Sequence, residues 1–289
     1  MKLKTLFLFL NIVLLAGIAL CFFCFFSLLP LASVMDGSGS TPPPLAAGIW
    51  ICCVAGFVLL VALAAADVFW ARHAGIFSCL SAENWPGLAD QLEKETLGKG
   101  RLRKLWVSLF TDVLVLLSDY ETLRKLFARL KAEKPALYRQ MAPDFAAASV
   151  AFGNPDEAAS CLETVSSQPE DWAAFYTAFL AFRKGRYREA SEQFAALAAS
   201  AADPVVIAVA GYYCGKVIPE KTFGIGIPQE TLAGAASAAV RRVRRLLSQP
   251  QWEKLRIRSG KKVRAAVLGK TVQSAGLWIY SAPEPDTGK

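Results

Sequence analysis

Two long stretches near the start of the chain carry no polar rhythm at all. From Thr5 to Ala66 the only ionisable side chains are cysteines and Asp36. The runs from about Leu6 to Leu29 and from Gly48 to Trp70 are each long enough to cross a hydrocarbon core, which takes about 20 apolar residues. Between them, residues 36–47 are rich in glycine, serine and proline, the composition of a tight loop. This pattern predicts a membrane hairpin over residues 1–70.

Lys2 and Lys4 precede the first run, Arg72 follows the second, and the loop has no basic residue. Cytoplasmic flanks carry the positive excess, so both termini are expected in the cytoplasm and the loop outside. The expected location is a bacterial cytoplasmic membrane. A cleaved signal peptide fits less well, because its apolar core is only about 7–15 residues long. A lipoprotein anchor at Cys21 is disfavoured by Leu20, where a small residue should stand. Asp67 is expected at the membrane interface beside Phe69, Trp70 and Arg72.

After a connector over 71–84 the pattern changes to helical spacing. Four stretches place residues at offsets 0, 3, 7 and 10 from a turn or capping residue. They start at Trp85, Tyr120, Pro155 and Tyr187, and the first departs from apolar character at Glu95. A second set of apolar helices precedes the later three, at 105–117, 141–152 and 171–183. Asn84, Asp119 and Asn154 stand where helix N-caps are needed. Helix, short turn, helix at about 34 residues is a repeat signature. No sustained period-two alternation occurs, so the fold class is all-α.

The segment Gly185-Arg-Tyr187-Arg-Glu-Ala190-Ser-Glu-Gln-Phe194, followed by Pro204, resembles the tetratricopeptide repeat. Gly153-Asn-Pro155-Asp-Glu-Ala158 with Pro169, and Tyr120 with Pro135, echo it over residues 85–217. First-helix positions usually held by Trp, Gly and Tyr are poorly matched, which leaves a related helical solenoid open. The resemblance implies a superhelix that binds a protein segment on its inner surface without catalysis of its own. On that alignment Trp172, Phe175, Phe179 and Phe182 line the groove, unless a later segment such as Leu277–Tyr280 covers them.

Composition adds one strong signal. The 289 residues carry a formal charge of +8, and residues 241–270 alone hold eleven basic side chains against Glu253. Arg241, Arg242, Arg244 and Arg245 fall on about half of one helix, opposite Leu232, Val243, Leu246 and Leu247. With Arg256, Arg258, Lys261, Lys262 and Arg264 they form a candidate surface for anionic lipid or an acidic protein. Nucleic acid is disfavoured, because no recognised module accompanies the charge. Residues 218–228 form an insertion, 218–281 the insertion and a basic helical cap, and 282–289 a flexible tail.

A single histidine, His73, excludes sites needing two imidazoles. Seven cysteines have neither metal-ligand spacing nor a disulfide framework. Gly224-Ile-Gly226 and Gly269-Lys-Thr271 both lack the glycines of phosphate-binding loops. Glu93, Glu95 and Asp112 read as helix-surface charges. No cofactor, metal site or catalytic constellation is expected. The functional expectation is a membrane-anchored adaptor presenting a cytosolic helical domain; the alternative is a structural subunit of a larger membrane machine serving secretion, motility or envelope assembly.

Overall fold

The computed structural model describes residues 3–35, 43–163, 170–222 and 228–281. Among them about nine residues in ten are helical and none is in a strand, so the chain is all-α. It divides into two compact units, 1–91 and 92–289. Of the loop expected over 36–47, residues 43–47 already belong to the second helix, and 36–42 lie outside the described residues, as do Val165, Pro169, Gly224-Ile-Gly226 and the tail 282–289.

In the first unit α1 (Leu3–Met35) and α2 (Pro43–Ser81) pack on each other. Both are long and apolar enough to cross a membrane. Their outer surfaces are apolar too, with Phe23 70% and Trp50 71% exposed, a pattern suited to lipid rather than water. Small residues let the two helices approach. A Cβ on Gly17 would lie 3.2 Å from Leu59 Cδ1, and one on Gly56 would lie 3.6 Å from Cys21 Cβ. Asn11 Nδ2 donates to Asp67 Oδ1 at 3.0 Å across the pair. The expected connector is not a separate segment over most of its length: α2 runs unbroken to Ser81, since nothing before Glu83 breaks the helix. Asn84 caps α3 (Trp85–Glu93), its Oδ1 accepting from the Gly87 N–H at 3.1 Å.

The second unit begins near the end of α3, which passes into a π-helical turn over Lys94–Gly98. Three helix pairs follow: α4 (Lys104–Leu117) with α5 (Tyr120–Glu133), α6 (Pro135–Ala151) with α7 (Pro155–Glu163), and α8 (Asp171–Arg183) with α9 (Tyr187–Ser200). Within each pair the reversal is built the same way. Ser118, Gly153 and Gly185 end the first helix at φ of 59°, 75° and 76°. The next residue then donates back five positions: Asp119 to Leu114, Asn154 to Ser149, and Arg186 to Ala181, each at 2.9 Å. These are Schellman turns, in which a left-handed residue satisfies the last carbonyls of a helix. Asp119 also caps α5, its carboxylate accepting from Thr122 N–H at 3.0 Å. Pro135 opens α6 instead of closing the previous repeat, and the helix continues through Pro143; α6 therefore starts six residues earlier than the hydrophobic pattern suggests.

The second helices bury the positions their spacing marks: Leu123, Phe127 and Leu130 on α5, Ala158 on α7, and Ala190, Phe194 and Leu197 on α9. Each first helix contacts its own partner and the next first helix. Asp171 at the start of α8 accepts from the Ala202 and Asp203 N–H groups at 2.7 Å each. That anchors the loop leading into α10 (Pro204–Tyr212), whose last turns are π-helical over Tyr213–Val217.

After the short α11 (Ile218–Lys221), the delayed partner of α10 is α12 (Gln229–Leu246). Their contact is unusually close. A Cβ on Gly211 would meet Ala239 Cβ at 2.3 Å, far inside van der Waals contact. The chain ends with α13 (Gln249–Ser259), α14 (Val263–Ala266) and α15 (Gly269–Ser281), the last packed on α10, α12 and α13. Gly211→Ala should force α10 and α12 apart and cost about 1–3 kcal/mol, the usual range for overpacking. Adding Ala239→Gly should recover most of the loss, read as the thermal midpoint by circular dichroism.

Candidate functional site

The aromatic stripe expected to line a groove lies inside the array. Trp172, Phe175 and Phe179 are buried and Phe182 is partly so. Phe175 meets Phe194 and Tyr213 at ring-centroid distances of 5.6 and 6.3 Å, and Phe179 and Phe182 lie 6.3 and 5.4 Å from Tyr213. The Trp172 indole N–H donates to Asp203 Oδ2 at 2.8 Å. The cover is thus α9 and the α10 extension. The segment 277–280 does other work: Trp278 packs on Tyr212, and Tyr280 donates to Leu247 O at 2.8 Å. Four rings at this spacing form a seam between neighbouring helix pairs.

The nine basic candidates divide by what holds them. Arg242 donates to Ala198 O and Ala201 O at 2.9 and 2.8 Å, closing the C-terminus of α9. Arg244 does the same for α15 through Ile279 O, at 3.0 and 2.5 Å. A guanidinium there satisfies orphan carbonyls and offsets the negative end of the helix dipole. These two, expected on an outward face, act inside the fold. Arg241, Arg245, Arg258, Lys261 and Lys262 are exposed, and Arg256 pairs with Glu253 at 2.8 Å. Leu246, expected on the buried side of α12, is 50% exposed beside Arg245, and Ile257 is 59% exposed beside Arg258.

Arg264 has the most elaborate surroundings. Its Nε and Nη2 donate to Asp144 Oδ1 and Oδ2, both at 2.8 Å, and Nη1 reaches Glu170 Oε1 at 2.6 Å. A bidentate fork of this kind is among the stronger charge-assisted contacts. Around it, Tyr176 donates to Arg264 O at 2.7 Å, Val263 N–H donates to Asp112 Oδ1 at 3.1 Å, and Lys262 Nζ lies 3.2 Å from Ser108 Oγ. Ser108 and Asp112 come from α4, Asp144 from α6, and Tyr176 from α8, whose start Glu170 precedes. Polar groups of three successive first helices therefore converge on residues 262–264. Burial holds the Tyr176 phenol well above its ordinary range, so it is a neutral donor.

Two of the three carboxylates expected on helix surfaces are not there. Glu95 is buried in the π-helical turn against Lys99 and Arg101; burial raises its pKa, but these two hydrogen-bonded cations outweigh that and leave it lowered. Asp112 is pushed from its ordinary 3.8 to about 6, chiefly by burial and also by Asp144, against the pull of Val263 N–H, Lys262 and Arg264. Sequence reasoning missed Asp144, Asp112, Glu170 and Tyr176 as partners of Arg264. The readable signal was Asp144 itself, a lone acid in a helix where every residue from Met141 to Ser149 is buried. Buried carboxylates are rare without a partner.

A carboxyl whose folded pKa is raised favours the protonated state on folding. Its contribution is full below pH 3.8 and is lost as pH rises through about 6. Asp112→Asn keeps an acceptor for Val263 N–H and cannot ionise. It should raise stability at pH 7.5 by up to about 3 kcal/mol, from the size of the shift, and change little at pH 3.5. A variant less stable than wild type at pH 7.5 would show instead that the ionised carboxylate is held favourably by Lys262 and Arg264.

Residues 122–281, from α5 to the end of α15, match a family model described as "Uncharacterised Treponema protein". An uncharacterised protein of Treponema pallidum (strain Nichols) is 26% identical over 231 residues, covering 78% of this chain and 73% of that protein. No solved structure matches. With more than half of its length matched, the chain belongs to this Treponema protein family.

Proposed function

We propose that the chain is a membrane-anchored adaptor, holding a partner protein beside the inner face of a cytoplasmic membrane. The observation that carries this reading is the pairing of two apolar, spanning-length helices with a separate helical unit of repeated pairs. The three repeated turns support the tetratricopeptide-like reading of that unit. The basic flanks Lys2, Lys4 and Arg72 support an orientation with both ends of the hairpin in the cytoplasm.

One feature of the hairpin favours the second reading, a structural subunit of a larger membrane machine. Asn11 lies five residues beyond Leu6, about 8 Å along the helix axis. In a spanning α1 that begins at Leu6, its bond to Asp67 lies deeper than the interface position expected for Asp67 from its aromatic and basic neighbours, and Asp67 is exposed on the hairpin surface. A carboxylate in that position suits contact with a further transmembrane helix.

Replacing residues 1–70 with an unrelated two-helix hairpin separates the readings. An adaptor should retain its crosslinked partner in native membranes, whereas a membrane subunit should lose it. Recovery of no partner by mild crosslinking of the native chain would count against both.

The exposed basic residues, with Leu246 and Ile257 among them, suit an anionic lipid surface, where each cation near the leaflet contributes about 1 kcal/mol. The fragment 92–289 should bind vesicles containing acidic lipid in a salt-sensitive way. Changing Arg241 and Arg245 to Gln should weaken binding severalfold without lowering the thermal midpoint. Changing Arg242 and Arg244 should lower the midpoint, because their helix-end contacts are lost. Equal binding to neutral vesicles would dismiss the lipid contact.

A further inference from the structure

The segment 262–268 is held differently from the rest of the array. Val263, Ala265 and Leu268 are its buried apolar side chains, two of them small to medium, whereas Lys262, Ala266, Gly269 and Lys270 are exposed. α14 is a single turn between Lys261-Lys262 and Val267-Leu268. What seats it is polar: Arg264 on Asp144 and Glu170, Asp112 on the Val263 amide, Tyr176 on the Arg264 carbonyl, and Ser108 beside Lys262. Every one of these receiving groups belongs to α4, α6 or α8, or is Glu170 immediately before α8. Elsewhere the polar joints are single helix-end contacts, such as Arg242 on Ala198 and Ala201 and Arg244 on Ile279, beside apolar seams such as Phe175–Tyr213 and Gly211–Ala239.

A short segment recognised through its backbone N–H, its backbone C=O and one forked arginine is bound as a peptide ligand is bound. Desolvation offsets much of the attraction within a buried charge pair, whereas removing one partner leaves the other charge buried and is costly, so a site built on Asp144 selects for a guanidinium. The apolar part of the seat is confined to Val263, Ala265 and Leu268, so any segment that replaces this one must supply small to medium apolar side chains beside its arginine.

We propose that residues 262–268 act as a cis ligand on the face of α4, α6 and α8, occupying a site whose trans ligand is a protein segment with an arginine among small apolar residues. The inference rests on the adaptor reading and deepens it: the partner displaces the chain's own segment and places its arginine between Asp144 and Glu170. Covalent linkage keeps the cis segment at high effective concentration, so the site is closed until a partner is abundant or tethered nearby.

The test uses the full chain in detergent micelles and a fluorescent synthetic peptide of residues 259–270, with the same peptide carrying alanine for its arginine as control. Arg264→Ala frees the site and is expected to raise binding of the arginine peptide at least tenfold over wild type. Asp144→Asn added to it removes the gain, and the control peptide shows none. A folded Arg264→Ala chain that binds the peptide no better than wild type overturns the proposal. Hydrogen exchange on the wild-type chain gives a second readout that no unfolding of a variant can spoil. The amides of 263–268 should exchange through an opening that leaves α8 and α10 protected; exchange only together with α8 overturns the proposal. A crosslinked partner that survives Asp144→Asn in otherwise wild-type chain sinks this site and leaves the adaptor standing. Peptide exchange without any captured partner supports the site and removes the adaptor.

Discussion

Everything in the helical unit depends on how each first helix is stopped. Ser118, Gly153 and Gly185 enter left-handed backbone, and the residue after each donates five positions back. That geometry turns the chain within three residues, so the second helix must return along the first. Glycine takes such a φ without penalty, and Ser118 carries the steric cost at the one turn that lacks glycine. Once the reversal is repeated at nearly constant spacing, each first helix has its own second helix on one side and the next pair on another. Little of its surface remains for water, which is why nine consecutive residues of α6 are buried.

Crowding of that kind decides the fate of polar side chains. A carboxylate on α6 or α4 meets either protein or the narrow face that the pairs leave uncovered. Asp144 and Asp112 lie on that face, and the C-terminal segment supplies Arg264 and the Val263 amide to them. Arg242 and Arg244 obey the same rule at helix ends, where unpaired carbonyls call for donors. The strong positive balance of residues 241–270 therefore has two uses: three arginines complete the fold, and the exposed remainder gives the surface its charge.

The family match begins at α5 and runs through α15, so the C-terminal segment and most of the array fall within one matched unit. This is what the contacts require, since α10, α12 and α15 share one core and α14 lies on α6. The hairpin is built on another principle. Its helices meet through Gly17 and Gly56 and through one polar pair, with large apolar side chains outward.

The helices, their caps at Asn84 and Asp119, the pairing of neighbours and the two apolar spans were legible in the sequence because each rests on short-range spacing. A turn takes 3.6 residues wherever it occurs, and a left-handed residue acts on the five before it. The partners of Arg264, the burial of the aromatic seam and the inward use of Arg242 and Arg244 were not legible. Each joins residues about 20 to 150 positions apart, and only the packing of helices on one another brings them within reach. Amphipathic periodicity says that one side of a helix is polar. Whether that side meets water, lipid or another part of the chain is decided by the tertiary structure, because a charge is placed by whatever can solvate it.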